Sequence, residues 1–300
     1  MIRGTGLLAG AAAAGLAWAL IEAQAFVLRR VQVPALVPGA NPIRVLHLSD
    51  LHMTPNQHRK AQWVRSLAQE RPDLVVNTGD NLAHPEALPL VLHALEPYLD
   101  LPGAFALGSN DYFGPTRRNP ARYLLPDSRT VDSHRGAPDL PGRELQQQLT
   151  AHGWADLANA RSQLVVAGQT VSFVGMADAH MDLDVLPPGS IRPLDAVAHL
   201  GVTHAPYQRV LNRFLGDDCD LVLAGHTHGG QLCIPGLGAL TTNCDLDVAY
   251  AKGLHRWPTQ EPASRSLWLH VSAGLGTNPY TPVRFACRPE ATLLTLVPGA

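Results

Sequence analysis

The sequence predicts an α/β domain, because short runs of branched apolar residues alternate along the chain with longer amphipathic segments. Residues 44–49 and 73–78 are such runs and are typical of buried strands. Residues 57–69 lie between them, and their apolar side chains fall on one face of a helix. The alternation continues to the end of the chain, as is typical of α/β folds.

The other elements are predicted in chain order from the same two patterns. We expect helices at residues 88–99, 144–152 and 207–215, and strands at 103–107, 164–166, 170–174, 198–203, 221–224, 266–271 and 291–297. Residues 112–141 are rich in Pro, Arg and Asp without periodicity, which predicts a long surface loop. Such a loop is either a substrate-binding lid or an inert insertion.

Residues 1–30 are predicted to form a transmembrane anchor or a signal segment. Residues 4–21 carry no charge, and as a helix they would reach roughly 27 Å, close to the roughly 30 Å of a bilayer core. We expect an uncleaved anchor; the alternative is a signal peptide, cleaved after Ala23-Gln24-Ala25, and a secreted protein. Residues 31–42 are predicted to be a linker, and residues 43–300 to be one folded domain.

The composition limits the classes of partner. A chain of 300 residues with 46% hydrophobic content can bury a substantial core. The net charge of −2 provides no basic field, so we expect no nucleic-acid partner. The four cysteines are too few and too scattered for a disulfide framework, and we expect buried or free thiols. A single disulfide between Cys233 and Cys244 is the alternative.

Four short polar clusters follow predicted strands, where α/β sheets commonly carry functional residues. They are Asp50-Leu51-His52, Gly79-Asp80-Asn81, Gly108-Ser109-Asn110-Asp111 and Gly225-His226-Thr227-His228, with His204 between the last two. On extended backbone, side chains two residues apart point the same way, so Asp50 should pair with His52 and His226 with His228. Together they offer enough ligands for two metal ions, a common device for hydrolysing phosphorus–oxygen bonds.

These motifs resemble those of the calcineurin-like metallophosphoesterases, whose pattern is Asp-x-His, Gly-Asp, Gly-Asn-His-Asp/Glu, a lone His and Gly-His-x-His. The resemblance extends over residues 43–296 and points to the bacterial branch with an N-terminal membrane or export segment. It implies a four-layer α/β/β/α sandwich of two mixed sheets, with the metal site at one edge. It also implies an extracytoplasmic catalytic domain.

The resemblance further implies two sets of metal ligands. The first ion would take Asp50, His52, Asp80 and His228. The second would take Asp80, His204, His226 and an amide oxygen from the third cluster, with Asp80 as the bridge between the ions. Nitrogen and oxygen ligands of this kind fit Mn, Fe or Zn.

The third cluster departs from the family pattern. An alignment without a gap puts Ser109 at the metal-binding Asn position and Asn110 at the His position. We expect Asn110 to coordinate, because an amide carbonyl is a better ligand than a neutral hydroxyl, with Ser109 as the alternative. The histidine that would assist the leaving group is therefore missing. The catalytic candidates are Asp80, Asn110, Asp111, His180 and His204, of which His180 is the candidate proton donor.

The expected activity is hydrolysis of a phosphoester, phosphodiester or pyrophosphate bond by a hydroxide shared between two ions. The substrate is expected to be a phosphorylated small molecule or a lipid-linked phosphate, since an anchor would hold the site near a membrane. A leaving group that needs no proton, such as phosphate in a pyrophosphate, would suit the altered third cluster. The alternative is a non-catalytic metal-binding scaffold on the same fold.

Overall fold

The computed structural model describes residues 2–116, 136–189, 192–258 and 265–299. Two six-stranded sheets form its centre. The first contains β1 (Val27–Leu36), β2 (Ile43–Leu48), β3 (Leu74–Asn77), β4 (Gly103–Phe105), β5 (Ala155–Asp156) and β14 (Glu290–Pro298). The second contains β6 (Arg161–Val166), β7 (Gln169–Gly175), β8 (Ala198–Val202), β9 (Leu221–Ala224), β12 (Gly253–Trp257) and β13 (Leu267–Val271).

Both sheets are mixed. The strand order of the first is β1-β14-β2-β3-β4-β5, and only β14 and β2 pair antiparallel. The second has the order β12-β13-β9-β8-β7-β6, with antiparallel pairs at its two edges. A separate two-stranded hairpin consists of β10 (Cys233–Ile234) and β11 (Gly238–Ala239).

The chain has six α-helices within the described residues. They are α1 (Ile2–Glu22), α2 (His58–Ser66), α3 (Leu88–Leu95), α4 (Ser109–Tyr112), α5 (Gly142–Ala151) and α6 (Gln208–Gly216). Of these, α2, α3, α5 and α6 contribute buried side chains to the clusters on the outer faces of the sheets. Val64 of α2, Val91 of α3 and Leu145 of α5 are buried in one cluster with the first sheet. Phe214 of α6 is buried in a second cluster, with Leu269 of the second sheet.

The inner faces of the sheets pack on each other through a third apolar cluster. Val45 and Val76 of the first sheet are buried there with Leu200 and Leu223 of the second. Each such side chain contributes about 1.5–3 kcal/mol when it leaves water. The order helix, sheet, sheet, helix confirms the predicted four-layer α/β/β/α sandwich.

The first strand occupies part of the region predicted to be a linker. Residues 31–36 belong to β1, which pairs in parallel with β14, and Val33 is fully buried. Pro34 made this segment resemble a linker, but β1 is the edge strand of its sheet, where a residue without an N–H is tolerated. The folded domain therefore begins before residue 43, and the connection to β2 spans only residues 37–42.

Helix α1 occupies the region predicted to be an anchor or signal segment. Among the described residues, no helix combines the length and the apolar character that crossing a bilayer requires. The predicted single N-terminal span is therefore not supported.

Most predicted elements are present, with shifted boundaries. The helix expected at 57–69 is α2 followed by a 3₁₀ turn at Leu67–Glu70. The strands expected at 164–166 and 170–174 are β6 and β7, which pair as a hairpin. Strands β5 and β12 were not predicted. The predicted loop at 112–141, with its suggested role as a lid, lies mainly outside the described residues. Its two described ends are joined by a hydrogen bond that Gly114 N–H donates to Asp139.

Candidate metal centre

The predicted ligands follow β2, β3, β4, β8 and β9, at one edge of the two sheets, and Asn110 lies in the short helix α4 after β4. The segments after these strands bend sharply rather than continue the strands. A positive φ occurs at five predicted ligands, namely Asp50, His52, Asp80, His226 and His228. Residues other than glycine rarely adopt this conformation, and it concentrates at functional sites. Asp50 and His52 do come together, at tight turns rather than on extended backbone. The His226 ring instead lies against the rings of His180 and His204.

Asp50, His52 and His228 form the first group. Their nearest ligand atoms all lie within 4.8 Å of one another. The Nε2 atoms of His52 and His228 are 3.1 Å apart, and His228 Nε2 is 3.5 Å from Asp50 Oδ1. Three side chains from two distant loops thus converge on one point.

Asp80 lies between this group and His204. Its Oδ2 is 3.6 Å from His52 Nε2 and 3.3 Å from His204 Nε2. Asp50, Asp80 and His204 form a second group of ligand atoms within 4.8 Å. The two groups share Asp50, and Asp80 faces an imidazole on each side.

Backbone carbonyls orient three of the imidazoles. His204 Nδ1 lies 2.6 Å from Thr78 O, His226 Nε2 lies 3.0 Å from Asn243 O, and His228 Nδ1 lies 3.2 Å from Gly276 O. A histidine that ligates a metal normally donates its other ring nitrogen in this way, which fixes its tautomer. Each of these rings therefore keeps one nitrogen available for a cation.

One buried ring atom lacks a hydrogen bond. His204 Nε2 has no hydrogen-bond partner in the part of the chain that the structure describes, although it lies at ion-pair distance from Asp80. A buried polar atom without a partner is costly, and a bound cation would satisfy it. Gly108 lets the side chains of Asp80 and His204 approach each other, because a Cβ on that glycine would overlap both of them. The residues present therefore fit a metal ion.

The third cluster brings Asn110 to Asp80. Asn110 N–H donates to Asp80 Oδ1 over 2.8 Å, and Asn110 Nδ2 lies 2.7 Å from Asp80 Oδ2. A half-turn of the amide would put its oxygen in the place of Nδ2. The Ser109 N–H donates instead to Asp178 over 2.8 Å.

Asp111 faces backbone groups rather than the predicted ligands. Its carboxylate accepts hydrogen bonds from the N–H groups of Asp80, Asn81 and Gly108, over 2.7–3.0 Å. Burial and the charge of Asp80 raise the pKa of Asp111 to about 7, against the effect of the backbone hydrogen bonds. Asp111 thus joins the second and third clusters through the backbone, and its catalytic role stays a prediction.

His180 lies beside the centre. Its ring centroid is 4.8 Å from that of His226, and its Nδ1 is 3.2 Å from the Tyr207 hydroxyl. Asp178 accepts the N–H of His180 as well as that of Ser109, so it connects this turn to the third cluster. The structure therefore brings the predicted proton donor close to a predicted ligand.

The charges of the centre are strongly coupled. Burial alone would raise the pKa of Asp80, but the charge of His204 and other hydrogen-bonding partners hold it well below its usual value. Burial would lower the pKa of His204, but the carboxylates of Asp80 and Asp178 raise it well above normal. In the metal-free chain a proton on His204 Nε2 would face Asp80 Oδ2 at 3.3 Å without forming a hydrogen bond, and a cation would replace that proton.

The other ligands have the opposite tendency. Burial raises the pKa of Asp50 to about 6 and lowers that of His52 to about 4. Burial and neighbouring cationic groups hold the pKa values of His226 and His228 well below the usual value for histidine. Neutral imidazoles are the form that binds a metal.

Two residues at the centre were not predicted. Asn243 orients His226, as described above. Arg284 is fully buried, and its guanidinium donates to Ala273 O and Gly276 O, each over 2.7 Å, and lies 3.4 Å from His228 Nδ1. Neither residue belongs to a recognisable motif, because each acts on a loop that is distant in sequence.

Two mixed sheets with histidines and carboxylates gathered at one edge define a metal-dependent phosphoesterase. The sequence profile described as Calcineurin-like phosphoesterase matches residues 43–230, and the chain belongs to this family. The predicted family and enzyme class are therefore confirmed.

Several metallophosphoesterase relatives are similar along most of the chain. The Bacillus subtilis metallophosphoesterase YkoQ is 26% identical over 85% of this chain and 84% of its own length. The Escherichia coli phosphodiesterase YaeI is 24% identical, over 91% of this chain and 88% of its own. The Chlamydia trachomatis UDP-2,3-diacylglucosamine pyrophosphatase LpxG is 25% identical, over 84% and 83%.

Proposed function

We propose that the chain uses two divalent cations to hydrolyse a phosphodiester or pyrophosphate bond in a lipid-linked substrate. The position of Asp80 carries this proposal. Its Oδ2 lies within 3.6 Å of imidazole nitrogens from both expected ligand sets, His52 on one side and His204 on the other. A carboxylate that bridges two cations needs this position.

The residues would divide between two cations that share Asp80. Asp50, His52 and His228 would hold the first, and His204, His226 and Asn110 the second. The ions, when bound, supply charge neutralisation at the phosphoryl oxygens and a lowered pKa for water. Nitrogen and oxygen donors favour Mn, Fe or Zn.

The chain's own groups hold this arrangement in place. The carbonyls of Thr78, Asn243 and Gly276 fix three imidazoles. Asp111 holds the backbone of Asp80 through its hydrogen bonds. Such partners commonly contribute 10–100-fold to metal affinity or activity, so the centre is expected to be sensitive to them.

The altered third cluster bears on the leaving group. Asn110 has no acidic proton to give, which favours a leaving group that departs as a stable anion, such as a phosphate in a pyrophosphate. The names of two relatives, a phosphodiesterase and a pyrophosphatase that acts on a diacylated nucleotide sugar, are consistent with this substrate class. Where a proton is needed, His180 is the candidate donor.

The lipid-linked part of the proposal rests on α1, in which residues 4–21 carry no charge. A membrane-associated catalytic domain, outside the cytoplasm, would meet such substrates directly.

The test is a reconstitution of the metal-free chain with Mn, Fe(II) or Zn, followed by metal analysis and assays on three substrates. These are bis(p-nitrophenyl) phosphate, p-nitrophenyl phosphate and a diacylated nucleotide-sugar pyrophosphate. We expect about two ions per chain and turnover of the diester and the lipid pyrophosphate. Fast cleavage of the monoester p-nitrophenyl phosphate with no activity on the lipid pyrophosphate would refute the substrate class. Metal binding without any turnover would favour the scaffold.

His180→Ala provides a second measurement. Nitrophenolate leaves without a proton, so we expect little change with bis(p-nitrophenyl) phosphate. A diester with an alkyl leaving group should lose about 10²-fold, the usual contribution of a general acid. Equal losses on both substrates would exclude His180 as the donor.

A further inference from the structure

The β10–β11 hairpin exposes apolar side chains in an unusual concentration. Leu232, Ile234, Leu237 and Leu240 are all exposed, Leu237 to 83%. No charged residue occurs between Gly229 and Cys244. Soluble proteins seldom expose a contiguous apolar patch without a partner for it.

The hairpin adjoins the end of α1 through one short segment. Cys233 N–H donates to Phe285 O over 2.8 Å, and Leu232 and Phe285 form a bridge. The next contact is to the helix, where Arg284 N–H donates to Ala19 O over 3.0 Å. The hairpin and α1 are therefore held on the same side of the molecule.

A buried carboxylate fixes the end of α1 to this segment. Glu22 accepts the N–H groups of Ala286 and Cys287, over 3.1 and 2.7 Å, and the Trp18 indole N–H over 2.9 Å. These bonds satisfy a charge that is only 5% exposed. The helix therefore leaves the domain at a fixed point beside the hairpin.

The exposed part of α1 is also apolar. Leu16, Trp18, Leu20 and Ile21 are all exposed, and among residues 13–21 only Ala19 is buried. A protein partner would cover one side of such a helix, whereas lipid surrounds all sides. Arg288 lies at its base and donates to Ala25 O, which puts a cation where anionic headgroups would lie.

The hairpin is directly connected to the metal centre. Metal ligand His228 precedes it, and Asn243, which orients His226, follows it. Ala239 of β11 presses against Gly230, because a Cβ on that glycine would overlap Ala239. The hairpin is therefore only a few residues along the chain from the predicted ligands, and a membrane that contacts the hairpin would lie close to them.

We propose that the β10–β11 hairpin and the exposed end of α1 form one lipid-binding face, which seats the metal centre against a bilayer surface. The hairpin is the new element, a second contact that fixes the orientation of the domain. The proposal deepens the proposed function, because it gives a lipid-linked phosphate a direct route to the ligands. The contact itself is independent of turnover.

Environment-sensitive labelling tests this contact on the full-length chain. The four native cysteines are buried, so an introduced exposed cysteine is labelled selectively. Leu237→Cys is compared with Leu194→Cys, a fully exposed leucine elsewhere. With vesicles of phosphatidylethanolamine and phosphatidylglycerol, we expect the dye emission to shift to the blue only at position 237. No shift at 237, or equal shifts at both positions, would overturn the proposal.

Vesicle co-sedimentation gives an independent readout. We expect the double variant Leu237→Asp, Leu240→Asp to bind vesicles at least about tenfold more weakly than the unmodified chain. The control Leu194→Asp should bind as the unmodified chain does. Hydrolysis of bis(p-nitrophenyl) phosphate should be unchanged in both. Unchanged vesicle binding by the double variant, or hairpin-dependent self-association without vesicle binding, would refute a lipid face. A chain that binds vesicles but hydrolyses nothing would refute only the proposed function.

Discussion

Two regions of the molecule contain almost the same kinds of side chain but differ in whether their donor atoms already have hydrogen-bond partners. The metal centre and a buried cluster around His199 each bring histidine and aspartate ligand atoms within 4.8 Å. The second cluster contains His199, Asp217 and Cys219 inside the second sheet layer, with Ser172 and Arg161 around them. Composition alone would assign a metal to both.

The difference lies in which donor atoms are already bonded. His199 lies 2.7 Å from the Ser172 hydroxyl through Nδ1 and 3.0 Å from Asp217 through Nε2. Arg161 contacts both oxygens of Asp217, over 2.7 and 2.6 Å. At the metal centre, by contrast, His204 Nε2 has no hydrogen bond from the described residues. A cation would complete the first region and disrupt the second, because it would displace an arginine.

The largest expected difference between the regions is in activity. Under the proposed function, we expect Asp80→Asn to lower turnover of bis(p-nitrophenyl) phosphate by about 10³-fold or more, because both cations would lose a shared ligand. Asp217→Asn is the matched control and should keep its metal and its turnover. Metal content and kcat/KM are measured on both. Full metal content and full turnover in Asp80→Asn would remove the basis of the bridging assignment.

The second difference is in stability. Asp217→Ala leaves Arg161 and His199 without their buried partner, and we expect it to lower the free energy of unfolding by about 3 kcal/mol. Asp50→Asn in the metal-free chain should lower it by less than about 1 kcal/mol, because burial already disfavours a charge there. Urea unfolding measures both. A larger loss for Asp50→Asn than for Asp217→Ala would reverse the comparison.

A smaller effect sharpens the description of the third cluster. If the Asn110 amide is a ligand, Asn110→Ala should weaken metal binding by about tenfold or more, whereas Ser109→Ala should change it less than about twofold. Calorimetric titration of the metal-free variants measures this. The opposite ranking would assign the ligand to Ser109.

The regions should also respond to pH in different ranges. The raised pKa of Asp50, about 6, means that below this pH a proton competes with the cation, and above it the carboxylate is free. The proton that a cation must replace on His204 also competes, because the pKa of His204 is raised well above the usual value. Metal affinity should therefore already fall about tenfold for each pH unit lost above 6, and more steeply below 6, where Asp50 also binds a proton. The pKa of Asp217 is lowered, by Arg161 and His199 against the effect of burial, so its contribution to stability is lost only below the usual aspartate range. Metal release and unfolding followed together test this; a common midpoint would contradict it.

Local patterns were sufficient for most of the fold. The apolar runs of β2, β3 and β9 and the amphipathic faces of α2 and α6 are contained in a few consecutive residues each. Strand β1 was missed because Pro34 is unfavourable in a central strand, and only the sheet order reveals that β1 is an edge. The second sheet was expected from the family resemblance, not from periodicity.

The sequence by itself determined the ligand types and the class of chemistry, because the motifs place His and Asp directly after strands whose ends meet at one edge. Only the tertiary structure decided which donor atoms remain available. It distinguishes His204 from His199, turns Asp111 toward backbone N–H groups and brings Asn243 and Arg284 to the histidines. The physical reason is that hydrogen-bond saturation depends on distant partners, such as His52 and His228, which are 176 residues apart, and no local pattern records such a separation.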